Sequence, residues 1–353
     1  MKRMPRNPGK FEALEAFTSF SRIHDFKLKS PEDTDKFLEM FGESFKASQE
    51  NPTLLHGKHK EILFGHLASG LGKCRLVKTE DTGEVISDDS DIALPDYRLI
   101  LNDGRQIFVE VKNCNQPNVK SLFNLQKSYV EKLQRYGELN GVPVYFAIYY
   151  RIMRIWTLLP ISSFIEHKKK YSTNAIHSYA NSELSMLGDL TIGTKPPLIF
   201  ELVADQSRDV ILNENDQASF IIGGVKIYSG DVEIEDPQEK TIAFNLMRFG
   251  RWDCGEAEGV MGENDKLHSV RYTFNPDSLE SYEKSGFDII GSLSSMITSA
   301  FNEQTIYENK IAAIDMKADI DAFSVKIPED YKHKELPLWI LDLRANPEFK
   351  GWE

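Results

Sequence analysis

Pro95-Asp96-Tyr97-Arg98-Leu99-Ile100-Leu101-Asn102-Asp103-Gly104-Arg105-Gln106-Ile107-Phe108-Val109-Glu110-Val111-Lys112 is the stretch that decides the fold. Two apolar runs flank Asn-Asp-Gly, a composition that predicts a β-hairpin. Strand side chains alternate between faces, so Phe108, Glu110 and Lys112 share one side and Ile107, Val109 and Val111 the other. An acid and a base therefore sit on a strand otherwise suited to burial.

The length of the turn decides whether Asp96 joins them. A two-residue loop at Asp103-Gly104 would oppose Asp96 to Val111 and turn its side chain away from Glu110. A three-residue loop, Asn102-Asp103-Gly104, would set Asp96 across from Glu110. Asn-Asp-Gly favours the longer loop, with glycine in the left-handed region. A slip of one residue would move the acids to opposite sides of the sheet. In the favoured register the two carboxylates lie about 5 Å apart at Cβ and repel. A divalent cation would offset that repulsion, and hard oxygen ligands select Mg²⁺, with Mn²⁺ as a substitute. Lys112 follows about 6.6 Å along the strand. Carboxylates, a cation and an ammonium are suited to activating water against a phosphodiester. A solvated hairpin is the competing reading for any isolated Glu-x-Lys.

Pro95-Asp96, then thirteen residues, then Glu110-Val111-Lys112 resembles the PD-(D/E)XK nuclease superfamily, which includes restriction enzymes and archaeal junction resolvases. The resemblance covers roughly residues 55–160. It implies a restriction-endonuclease-like mixed α/β sheet flanked by helices, and a catalytic set of Asp96, Glu110 and Lys112. It also implies metal ligation by the Val111 carbonyl and by a glutamate on the preceding helix, for which Glu61 is the candidate. Gln126 and Tyr129 partly resemble a Gln-x-x-x-Tyr helix element of some relatives. The spacing is one residue short, so only Gln126 is carried forward.

Composition permits such an enzyme. The 353 residues carry a net charge of −12, yet the charge is unevenly spread. Residues 1–200 sum to +3 and residues 201–353 to −15. Residues 104–175 hold eleven basic and four acidic side chains, a local balance that suits phosphate contacts. Lys120, Lys127, Lys132, Lys168, Lys169 and Lys170 are the candidate contacts to DNA. No apolar run is long enough for a membrane span, and the basic N-terminus lacks a secretory core, so the expected location is cytoplasmic. Cys74, Cys114 and Cys254 have neither zinc-site nor disulfide-framework spacing.

The pattern predicts three parts: an N-terminal helical segment over 1–50, a nuclease core over 51–175, and an acidic, β-rich α+β domain over 190–353. Helices are expected at 10–26, 31–48, 53–71 and 118–140, with Phe11, Leu14, Phe17, Phe37, Phe41 and Phe45 as packing faces. Strands are expected at 74–78, 144–150 and 151–159, and later at 241–246 and 269–274 among others. His56, His59 and His66 read as surface histidines. Asp88, Asp89 and Asp91 read as loop charge, and 167–171 as a solvated helix end. The acidic domain is expected to regulate, dimerise or bind a partner protein. These features lead to a Mg²⁺-dependent DNA endonuclease in restriction or antiviral defence. A repair or junction-specific nuclease and a non-catalytic nucleic-acid-binding scaffold are the alternatives.

Overall fold

A computed structural model describes residues 1–3, 12–81, 85–88, 91–208, 210–212, 218–262, 266–278, 280–316 and 325–349. Phe11 and Asp89 lie outside the described residues. The chain divides into two compact units: 1–187 with 301–322 and 344–353, and 188–300 with 323–343.

The first unit opens with α1 (Glu12–His24), α2 (Pro31–Gln49) and α3 (Pro52–Gly70). Ser30 caps α2 by accepting the Asp33 amide, and Asn51 caps α3 in the same way, each followed by Pro at the first position. Phe17 and Phe37 are buried edge-to-face at 5.2 Å and the partly exposed Phe41 ring lies 5.7 Å from Phe37, but Leu14 and Phe45 are exposed, contrary to their reading as packed faces. Two of the three histidines of α3 also depart from expectation, while His56 is exposed as expected. His59 and His66 are buried, the first bonded to Thr305 and the second to Asp315. Each finds a polar partner inside, which a surface reading did not anticipate.

A five-stranded sheet follows, in the order β1 (Cys74–Thr79), β2 (Tyr97–Leu101), β3 (Gln106–Cys114), β5 (Val144–Tyr150) and β6 (Ile155–Pro160). β3 and β5 are parallel and every other pair is antiparallel. A parallel pair needs a crossover. Here it comprises β4 (Phe123–Gln126) and α4 (Lys127–Asn140), so the helix expected from 118 begins at 127. Residues 123–126 instead pair with β8 (Lys170–Thr173), which also pairs with β7 (Ile165–Glu166). The basic run at 167–171 is thus a hairpin and not a helix end. Residues 151–154 are a turn, delaying β6 to Ile155.

The two faces of the sheet are covered separately. α4 buries Val130 and Leu133 against Phe108, Phe146 and Ile148. Full burial of one such aliphatic side chain contributes about 1.5–3 kcal/mol. α3 packs Phe64 against Tyr97 and Trp156 on the other face. Gly65 allows that approach, because a Cβ there would stand 2.7 Å from the Tyr97 hydroxyl.

In the second unit, a six-stranded sheet centres on Leu198–Ala204 between Ile222–Ser229 and Leu267–Asn275. A smaller sheet joins Asp288–Ser292, Thr191–Thr194 and Leu338–Leu341. Residues 241–246, read as a strand, lie inside the helix Pro237–Phe249. Asp236 accepts the Gln238 and Glu239 amides, Pro237 takes the first position, and Ile242 and Leu246 bury one face. Capping and four-residue spacing overrode the β-branched composition.

Candidate active site

The hairpin turn is Asn102-Asp103-Gly104, with Gly104 at φ +89° and its amide donating to the Leu101 carbonyl. Tyr97 pairs with Val109 and Arg98 with Phe108, and the same register extended one residue beyond the strand sets Asp96 across from Glu110. Arg98 lies over the Phe108 ring at 5.0 Å, on the α4 side. By alternation, Asp96, Glu110 and Lys112 belong to that same side.

Glu110 is only 3 % exposed. Its Oε1 accepts from Lys112 Nζ at 2.5 Å and from the Tyr129 hydroxyl at 2.6 Å. Its Oε2 is buried without a hydrogen-bond partner. Asp96 Oδ2 accepts the Val111 amide at 2.7 Å. Burial raises the Asp96 carboxyl well above the ordinary carboxylate range. The Glu110 charge adds to this, while the Val111 amide and Lys112 oppose it. A buried and a half-buried carboxylate, with Glu110 Oε2 unpartnered, are a donor set that a hard divalent cation fits. Asp96, Glu110 and the Val111 carbonyl are the groups that would hold it.

Glu61 lies on α3. α3 covers the opposite face, where the Glu61 carbonyl accepts the Tyr97 hydroxyl and the Glu61 carboxylate pairs with Lys58. Its charge still bears on Asp96, raising that carboxyl further. Among the described residues, no group of three or more His, Cys, Asp or Glu side chains is arranged to hold a metal ion.

Tyr129 is the site residue that sequence spacing discarded. The helix begins late, so Tyr129 sits in its first turn and reaches Glu110, whereas Gln126 is exposed at the helix cap with no side-chain cap bond. Glu80, grouped in the sequence with the acidic loop, is also buried, accepting from Arg98 at 2.9 Å and Tyr136 at 2.7 Å.

The predicted phosphate contacts divide. Lys127 pairs with Glu166, and Lys132 pairs with Asp91 at 2.8 Å. Lys120, Lys168 and Lys169 are exposed and Lys170 is half-buried. The Lys127 amide donates to the Lys169 carbonyl, which places the 167–170 turn beside the start of α4.

No protein-family model matches the chain, and no curated protein does. Among solved structures, it is similar to a Holliday junction resolvase from Archaeoglobus fulgidus. The identity is 19 %, over 26 % of this chain and 77 % of that one, with a TM-score of 0.22. No helix among the described residues is long and apolar enough to cross a membrane.

Proposed function

We propose that the first unit is a metal-dependent nuclease that hydrolyses DNA phosphodiester bonds. The observation that carries the reading is buried Glu110, with one oxygen held by Lys112 and Tyr129 and the other unpartnered, across the hairpin from Asp96. Mg²⁺ held there, or Mn²⁺ in its place, would polarise a phosphoryl oxygen and lower the pKa of water.

The protein's own groups have separable tasks. Lys112, half-buried and 5.0 Å from the Tyr129 ring, sets its ammonium group beside Glu110. Such a charge stabilises the negative charge that develops on the phosphoryl group. Tyr129 remains neutral, since burial and the Glu110 charge both raise its pKa. It donates to Glu110 and fixes which oxygen stays free. The Val111 amide orients Asp96, so the backbone of one strand positions the acid of its neighbour.

Retention of Asp96, Glu110 and Lys112 in one register supports an enzyme over a scaffold. We assign the activity to restriction or antiviral defence, with junction or repair cleavage as the alternative. The acidic second unit would serve dimerisation or a partner protein. The test is cleavage of supercoiled, linear and four-way-junction DNA with Mg²⁺ or EDTA, by wild type, Asp96→Asn and Lys112→Ala. Wild type should cut only with metal, and both variants should lose at least about a hundredfold. Folded variants that cut at the wild-type rate would refute the assignment.

A further inference from the structure

α2 is 19 residues long and buries one side chain, Phe37, whose ring meets Phe17 and Phe20 of α1. A helix in water draws most of its stability from a packed apolar face. Beside Phe37 runs a second apolar line that stays exposed. Thr34, Leu38, Phe41, Phe45 and Ser48 follow one another by alternating steps of four and three residues. That spacing keeps them in one stripe and is the repeat of a helix–helix seam. Leu38, Phe41 and Phe45 are 59, 44 and 57 % exposed.

The ends of the stripe are polar by composition but not by hydrogen bonding. The Thr34 hydroxyl donates to the Ser30 carbonyl and the Ser48 hydroxyl to the Ser44 carbonyl, so covering either strands no donor. Single exposed apolar side chains need no explanation, whereas a contiguous line in seam spacing marks an interaction surface.

Flanking charge selects the occupant. At about 3.6 residues per turn, Asp35 and Lys46 fall on the same flank of the stripe, one near each end. Both are exposed, and neither has an ion-pair partner among the described residues. A parallel pair of α2 helices would set Asp35 against Asp35 and Lys46 against Lys46. An antiparallel pair sets Asp35 of each copy beside Lys46 of the other, and Leu38 of each against Phe45 of the other, with the two Phe41 rings at the centre. Every contact is then made twice, as a two-fold axis requires.

We propose that α2 is a self-association surface, on which two copies of this chain pair antiparallel along the stripe from Thr34 to Ser48. The pairing is independent of the chemistry at Asp96 and Glu110. It places self-association in the first unit and leaves the acidic second unit to a partner protein. The stripe is about 21 Å long, so the dimer belongs to the small, micromolar class.

Sedimentation equilibrium of the full chain over about 1–100 µM tests this, and wild type should pass from monomer to dimer across that range. Leu38→Glu and Phe45→Glu should each weaken the dimer at least about tenfold, since each buries a charge in the seam. Both side chains are exposed, so far-ultraviolet circular dichroism of the variants should match wild type. Lys46→Asp should weaken the dimer about three- to tenfold, and Asp35→Lys combined with Lys46→Asp should recover most of that loss. A dimer of unaltered strength in Leu38→Glu and Phe45→Glu overturns this surface. A double swap no stronger than Lys46→Asp alone overturns the antiparallel arrangement. Wild type that remains a monomer at about 100 µM overturns self-association.

Discussion

The Tyr129 hydroxyl donates to Glu110 Oε1 at 2.6 Å, linking the first turn of α4 to the central strand. This bond crosses from the crossover helix to the acid that the hairpin presents. Tyr129→Phe keeps the ring beside Lys112 and removes only the donor. Cleavage should fall about tenfold, with a stability loss of about 1 kcal/mol. Single-turnover rates over a Mg²⁺ titration, together with urea unfolding, check this; an unchanged rate would remove Tyr129 from the site.

Metal should stabilise the fold through the same acids. Saturating Mg²⁺ at a hundredfold excess over Kd contributes about 2.7 kcal/mol. Wild type should therefore melt several degrees higher with Mg²⁺ than with EDTA. Asp96→Asn and Glu110→Gln should each erase the difference. Calorimetry on the three proteins measures it without reference to cleavage.

Gly104 sets the register at φ +89°, with open space where a Cβ would project. Its substitution cost is therefore conformational, not steric. Gly104→Ala should destabilise by about 1–2 kcal/mol, and Gly104→Asn by less, because asparagine tolerates the left-handed region. Chemical denaturation of the pair gives the ranking, and a costlier asparagine would contradict the turn geometry.

His59 gives the fold an acid sensitivity. Burial, reinforced by Lys60 and His56, lowers its pKa from 6.5 to about 4. The folded state thus binds fewer protons than the unfolded chain between those values. Its contribution is complete above pH 6.5 and is lost as pH falls through 4, amounting to at most about 3 kcal/mol at about 1.4 kcal/mol per unit. His59→Gln should flatten the stability profile across that window. A wild-type profile that rises toward pH 4, or the same slope in both proteins, would contradict this.

The hairpin was legible because Asn-Asp-Gly constrains both loop length and handedness, and loop length fixes which face Asp96 takes. Ser30-Pro31 and Gly141, which closes α4 at φ +65°, marked helix ends for equally local reasons. The segment before α4 was not legible. Leu122 and Leu125 continue the apolar spacing of the helix, but pairing of 123–126 with Lys170–Thr173 holds them extended. That non-local pairing also hid Tyr129, whose reach depends on where the helix begins. His59 and His66 failed for a similar reason: Thr305 and Asp315 are more than two hundred positions away.

The parallel alignment of β3 and β5 separates what this chain must keep from what it is free to alter. The acids stand on strands whose register a tight turn sets, while residues 115–122 of the return path between the parallel strands are mostly exposed. Insertions or exchanges in residues 115–122 would alter an exposed surface and leave the hairpin acids in place. Variation of the surface and preservation of the buried carboxylate would then proceed in different stretches of one polypeptide.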